Sequence, residues 1–369
     1  MSDDARPLPR LGFTCGDPAG IGPEVAVAAF HDKRVQAVCR PVLFGSLDSI
    51  AKAHRTLGRE QDTVAKVRAM RLDGVDPVVA TDGRIAPDAT GKMVSVFDGP
   101  LAVRKGQPSA KAGRIAYESL MEALQFCPTI RDTPRLEGLV TAPLNKYSLQ
   151  MAGVPFPGHT EILGQHAVSP ERFAMMLHVP PGPTTDGTVI AGEFGLSIVH
   201  VTLHTSVESV PGLLTVDKIV GAIRLLDADL PKLGCTRPRI AVAALNPHGG
   251  ENGLFGDEES RLIAPAIERI NGESRPVRVA GPLPCDTLIR RAVLGEFDAV
   301  VAMYHDQGHI PVKLIAMHEA INITLGLPFP RTSPTHGTAY DIVGRTLAHT
   351  AGMIAAAKTC AAMASLAKE

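Results

Sequence analysis

Short apolar runs alternate with helix-patterned segments along this chain, and no other feature limits its fold as much. Residues 11–15 (LGFTC), 136–142 (LEGLVTA), 197–203 (SIVHVTL), 239–245 (RIAVAAL) and 298–304 (DAVVAMY) are apolar and too short for helices, so they read as strands. Residues 25–30, 113–127 and 216–230 carry helical patterns. In the last, Val216, Ile219, Val220, Ile223 and Leu226 share one side. The alanine-rich end, AAAKTCAAMASLAKE, predicts a packed amphipathic helix. Strands alternating with helices make βαβ units, and near-continuous apolar strands fit a mostly parallel sheet covered on both faces. The expected class is α/β.

Each predicted strand runs into a polar loop: GDPAGIGPE, TAPLNK, TLHTS, NPHGGE and YHDQGH, in chain order. Open α/β sheets bind ligands beyond the carboxyl ends of their strands, so these loops are expected to converge on one cleft. The ligand is expected to be small. A formal net charge of −1 offers no basic patch for nucleic acid, and 4 % aromatics with no Trp gives no base-stacking platform. No run of about 18 apolar residues predicts a membrane span, and the polar start MSDDARPLPR lacks the apolar stretch of a secretory signal. Cys15, Cys39, Cys127, Cys235, Cys285 and Cys360 are scattered without a CxxC pair, which suits free thiols in a reducing, cytoplasmic setting.

His204, His248 and His305 each lie at or just beyond an apolar strand. Neutral imidazole ligates divalent transition metals, and three imidazoles with an open fourth position make a catalytic site. Taken singly, each also reads as a hydrogen-bonded loop histidine. Asp306 either orients a ligand or acts as a base, or else caps backbone amides. His159 and Thr160, in PGHTE at a predicted helix start, suit a phosphate; taken alone, they read first as a helix cap. Arg331, held among prolines in PFPRTSPTHG, has the fork for a carboxylate or phosphate, and Lys313 and Asn322 precede it. Gly16, Gly20 and Gly22 do not form GxGxxG. Neither a phosphate-binding P-loop nor a GxSxG elbow is present.

Taken together, GDPAGIGPE, TAPLNK, PGHTE, LNPHGGENGLFGDEE, GPLPCDT, MYHDQGHIPVK and NITLGLPFPRTSPTHGTA resemble the 4-hydroxythreonine-4-phosphate dehydrogenase family of vitamin B6 synthesis, in the family's order over most of the chain. The resemblance implies two α/β/α domains related to isocitrate and isopropylmalate dehydrogenases, not a Rossmann fold. Residues 1–140 with 315–369 are expected to form one domain, and 141–314 the other. It implies a homodimer whose active sites draw on both chains. It places metal ligands at His204, His248 and His305, and phosphate contacts at His159 and Thr160. Further substrate contacts fall on Lys313, Asn322 and Arg331, and polar active-site positions on Asp286 and Asp306, so that Asp286, Asp306 and Lys313 are the catalytic candidates.

The cofactor implied is NAD or NADP, with a divalent metal: zinc first, cobalt or magnesium otherwise. The reaction implied is oxidation of the C3 hydroxyl of 4-phosphohydroxy-L-threonine, then decarboxylation to 3-amino-2-oxopropyl phosphate. Some features are closer to paralogues that oxidise 4-phospho-D-threonate or 4-phospho-D-erythronate: His309 after YHDQG, TLHTS, and Thr335 in SPTHGT. The same features resemble terephthalate dihydrodiol dehydrogenases, but those lack GHTE. Retention of His159 and Thr160 therefore points to a phosphorylated substrate. Outside this class, the alternatives are a non-catalytic binder of the same fold and a metal-dependent phosphohydrolase. The second is disfavoured by the lack of carboxylates paired for two metals.

Overall fold

The chain starts its regular structure where the apolar pattern does. β1 (Arg10–Thr14) leads through GDPAGIGPE into α1 (Gly22–Phe30), which Pro23 helps to start. β2 (Arg40–Ser46), α2 (Leu47–Thr56), β3 (Ile85–Pro87), β4 (Lys92–Phe97), α3 (Ala110–Leu124), β5 (Gly138–Thr141), α4 (Lys146–Met151) and α5 (His159–Ala167) follow. Then come β6 (Ala174–Val179), a two-residue pair β7 (Gly182–Pro183) and β8 (Val189–Ile190), β9 (Leu196–His200), α6 (Val216–Asp229) and β10 (Arg239–Ala243). α7 (Ala264–Asn271), β11 (Arg278–Leu283), α8 (Cys285–Val293), β12 (Ala299–Ala302), α9 (His305–Ala316) and β13 (Ile321–Leu325) complete that stretch. β14 (Arg331–Pro334) and α10 (Ala351–Leu366) end it. The structure is a computed structural model describing residues 7–59, 85–87, 92–97, 103–128, 136–167, 173–273 and 277–367, so most of the proline-rich start lies outside the described residues.

The elements form two units, Met1–Val168 with Leu327–Glu369, and Ser169–Gly326. In the first, strands run β14-β5-β1-β2-β4-β3, parallel except where β3 meets β4. In the second, the order is β11-β10-β12-β9-β6-β13, with β6 antiparallel to both neighbours and the other pairs parallel. The α/β class is the one expected from the strand–helix alternation, and the two units are what the family resemblance implies.

The unit boundaries fall later than the expected 140 and 315. Leu149, Ile162 and Leu163 of α4 and α5 pack into one core with Phe44, Leu120 and Leu139, so the segment after β5 stays with the first unit. β13 pairs with β6, which keeps the chain in the second unit until Gly326. The second core gathers Leu177, Leu196, Ile198, Ala241, Leu288, Val300 and Val312.

The C-terminal helix is less amphipathic than its sequence suggests. α10 buries most of its circumference and exposes mainly one stripe through Ala351, Lys358, Ala362 and Ser365. Alanine lets it lie close to the sheet: Thr332 Oγ1 donates to Ala356 O at 2.8 Å, and Cys360 Sγ reaches Leu139 O and Pro330 O, each at 3.6 Å. Among the described residues, no helix is long and apolar enough to cross a membrane. All six cysteines are free.

Candidate active-site residues

In the first unit, β14 and β5 pair in parallel, with Arg331 opposite Leu139. Arg331 is 1 % exposed, and its Nε and Nη2 donate to Thr141 Oγ1 at 3.1 and 2.5 Å. Burial pushes its pKa down to about 10, against the pull of Glu161 and Cys360, so the guanidinium stays charged at neutral pH inside the protein. α5 begins at His159, directly after Gly158, and presents Thr160 and Glu161 in its first turn. The half-buried His159 is held well below the usual histidine range, first by loss of water and then by the Arg331 charge. A neutral imidazole, a helix start and a desolvated guanidinium offer an anion donors and positive charge, which the Glu161 carboxylate in the same turn partly offsets.

The GDPAGIGPE turn is fixed beside the same strands. Gly16 has φ 63°, and a Cβ there would lie 2.1 Å from Pro143 O, so only glycine fits. Asp17 is fully buried. Its Oδ1 accepts from Ala19 N at 2.7 Å and its Oδ2 from Tyr340 Oη at 2.8 Å, while Tyr340 Oη also lies 3.4 Å from Ser148 Oγ. Burial raises the Asp17 carboxyl above the usual range, and these hydrogen bonds oppose it.

In the second unit, β9 carries His200 at its end with His204 just beyond, and α9 starts at His305. The His204 and His305 rings have centroids 6.0 Å apart. His305 Nδ1 contacts Asp306 Oδ1 at 2.7 Å. A carboxylate only accepts, so Nδ1 carries a proton, and in the neutral ring Nε2 is the nitrogen with the lone pair. A cavity of ≈ 470 Å³ beside them is lined by His204, Thr205, Ser206, Tyr304, His305 and Asp306, among others.

His248 sits elsewhere in the second unit, in a segment where residues 248 to 252 all have positive φ, from 44° to 81°. The loop is anchored by the buried Glu259, whose Oε1 accepts from the backbone N–H of Leu245 and Asn246, each at 2.8 Å. The His248 side chain is 64 % exposed; its Nδ1 meets Glu251 Oε1 at 3.1 Å and its ring packs edge-on to Phe255. The structure therefore pairs His204 with His305 but leaves His248 apart. Among the described residues, no group of three or more His, Cys, Asp or Glu is poised around a single ion.

The donor chemistry nonetheless fits a divalent metal. Two of the three histidines have Nδ1 engaged by a carboxylate, the arrangement that presents Nε2 to an ion. Two imidazoles on one tetrahedral ion have ring centroids about 5 Å apart, given metal–nitrogen bonds of about 2.0–2.1 Å, so the His204–His305 pair is close to that spacing.

Lys313 lies two turns along α9 from His305, exposed, and its charge bears on His309. Asn322 projects from β13 with its Oδ1 buried and without a hydrogen-bond partner among the described residues. Asp286 is exposed in the first turn of α8, where its Oδ1 accepts from Thr287 N at 3.0 Å; its neighbour Cys285 reaches Gln307 O of α9. Three features escaped the sequence reading. Thr141 as partner of Arg331 and Tyr340 as partner of Asp17 join positions 190 and 323 residues apart, with no local signal. The pair His305 and His309 was visible as an i, i+4 repeat on one helix face.

The family described as Pyridoxal phosphate biosynthetic protein PdxA matches residues 37–360. This chain belongs to the PdxA family. Among its relatives, a 4-hydroxythreonine-4-phosphate dehydrogenase of Desulfosudis oleivorans is 40 % identical over 343 residues, covering 92 % of this chain and 91 % of that protein. A D-threonate 4-phosphate dehydrogenase of Salmonella typhimurium is 37 % identical, covering 90 % of this chain and 92 % of that protein. The crystal structure of a Klebsiella pneumoniae 4-hydroxythreonine-4-phosphate dehydrogenase superposes with a TM-score of 0.73 at 34 % identity, covering 96 % of this chain and 99 % of that one. As a PdxA-family member, the chain is an oxidoreductase of the dehydrogenase kind.

Proposed function

We propose that this PdxA-family chain is a metal-assisted NAD(P)+ dehydrogenase that oxidises the C3 hydroxyl of a four-carbon acid phosphorylated at C4, with 4-phosphohydroxy-L-threonine as its first substrate. The observation that carries the reading is His305: its Nδ1 is fixed by Asp306 and its ring faces His204. In the first unit, Arg331, His159 and Thr160 take the phosphate; the neutral imidazole donates one hydrogen bond while the guanidinium supplies charge. In the second unit, His204 and His305, completed by His248 of a second copy, would hold a divalent ion, zinc first and cobalt or magnesium otherwise. When bound, the ion lowers the pKa of the substrate hydroxyl and the nicotinamide accepts the hydride.

Asp306 is tied to His305, which fits an orienting role better than that of a free base. Lys313 neutralises the substrate's anionic end, Asn322 Oδ1 accepts from a substrate donor, and Asp286 is a further polar contact. The β-keto acid formed on oxidation then loses CO2. We assign His248 to the His204–His305 pair of a second copy of the chain. α9 exposes Ile310, Leu314 and Met317 along one side, and Leu254 and Phe255 are exposed next to His248's loop; such apolar surface suits a homodimer interface. Six free thiols support a reducing, cytoplasmic setting.

A second reading, 4-phospho-D-threonate or 4-phospho-D-erythronate as substrate, is favoured by His309 and Thr335, and by the near-equal identity to relatives carrying either substrate's name. A panel of the three phosphorylated acids with NAD+ or NADP+ and zinc, cobalt or magnesium tests both. Reduced nicotinamide absorbance with the threonine derivative supports the first reading, and its appearance only with a phosphosugar acid supports the second. Thermal stabilisation by these acids with no cofactor reduction makes the chain a binder and sinks both.

A further inference from the structure

The histidines of the second unit include two with no role so far. His309 lies one helical turn after His305 on α9, and their rings stack with centroids 3.7 Å apart and planes 6° from parallel. His309 is itself held. Its Nδ1 lies 3.1 Å from His305 O and 3.2 Å from His200 Nε2. The carbonyl only accepts, so Nδ1 bears the proton and His200 Nε2 accepts as well. His200 reaches this position because residue 308 is glycine: a Cβ there would stand 2.3 Å from His200 Nε2. His200 and His309 are both buried, whereas the His305 side chain is 36 % exposed at the start of a helix.

A ring in that place is poorly fixed by its own torsion, because χ2 of histidine is broad and nearly two-fold. Asp306 fixes one edge of the His305 ring. We propose that His309, braced by His200, is a positioning residue that fixes the face of His305 and so aims His305 Nε2 at the ion. The inference rests on the reading of His305 as a metal ligand. His309 is not a further ligand. With the two planes parallel, an ion in the plane of His305 stands up to 3.7 Å off the plane of His309, where no in-plane lone pair points. A metal–nitrogen bond of about 2.0–2.1 Å cannot be made to both rings.

The test titrates cobalt(II) into the metal-free full-length protein and follows its visible absorption, with affinity from competition against a chelator. His309→Phe keeps a flat ring without nitrogens; His309→Leu fills the space without a face. His309→Phe keeps the face but loses the bond to His200, so a several-fold loss of cobalt affinity with unchanged bands is expected for it. For His309→Leu, about a 10- to 100-fold loss and shifted bands are expected, the usual scale for groups that orient a ligand. Equal losses in both variants would mean that a nitrogen of His309 is what matters, and wild-type affinity in both would mean no positioning role; either result overturns the inference.

Should His309→Leu fail to fold, His200→Gln leaves His309 in place but removes the ring that braces it. A several-fold weakening is expected there, and wild-type affinity counts against the proposal. His305→Ala separates the layers. Unchanged cobalt binding in it removes His305 from the ligands and the inference with it; lost binding in it, with both His309 variants normal, removes only the inference.

Discussion

Arg331→Met separates what the buried guanidinium does for binding from what it does to stability. Burial moves the pKa of Arg331 from 12.5 to about 10, which corresponds to about 3 kcal/mol against keeping the charge inside the first unit. Methionine is uncharged and of similar length, so that penalty disappears. Against it stands the loss of the guanidinium's partners, among them Thr141 Oγ1, which alone gives up two accepted hydrogen bonds at a cost of about 1–2 kcal/mol. The variant is therefore expected to be more stable than wild type by at most about 1–2 kcal/mol in phosphate-free buffer, a rise in Tm of no more than roughly 2–8 °C. Inorganic phosphate is expected to raise the Tm of wild type and to leave the variant unmoved. Scanning calorimetry of both proteins across a phosphate series reads the two effects together. A variant less stable than wild type without phosphate, or one still stabilised by it, would refute the picture of a strained cation held for an anion.

Two further outcomes follow from the buried polar groups. Burial pushes His178, which contacts Ser197 Oγ at 3.0 Å, down to about 4. The unfolded chain takes up this proton near pH 6.5 and the native chain does not, so stability falls from pH 6.5 to about 4 by up to about 3 kcal/mol on this group's account. Urea unfolding of His178→Gln should show a shallower slope over that window, and identical slopes would count against it. Tyr340→Phe removes a donor to the buried Asp17 carboxylate and should cost about 1–3 kcal/mol at neutral pH. Because burial raises the Asp17 pKa, that difference should shrink as acid protonates the group; a difference constant with pH would show that Tyr340 acts by packing alone.

Much of the fold was legible because its strands are continuous apolar runs and its helices keep one apolar side: residues 11–15 and 216–230 became β1 and α6 nearly as read. The unit boundary was not legible, since the sequence does not mark that Leu149 and Ile162 share a core with Phe44. The candidate site divided in the same way. Strand-end histidines announced His204 and His305, and prolines around Arg331 announced a held cation. What Arg331 touches, and the stack behind His305, depend on side chains meeting after folding. His248 shows the limit most clearly: its motif reads as a ligand loop, yet within one chain its imidazole faces Glu251 and Phe255 rather than the other two rings.

The first unit is written in two instalments around the second. Until residues beyond Gly326 leave the ribosome, β5 is an open sheet edge, and the Arg331 that pairs there has not yet been made. The second unit is contiguous and can finish during that interval, as domains do in synthesis. The nascent chain therefore carries the elements that hold His204 and His305 before Arg331 exists, and a chaperone or protease meeting it then would find unpaired backbone along β5.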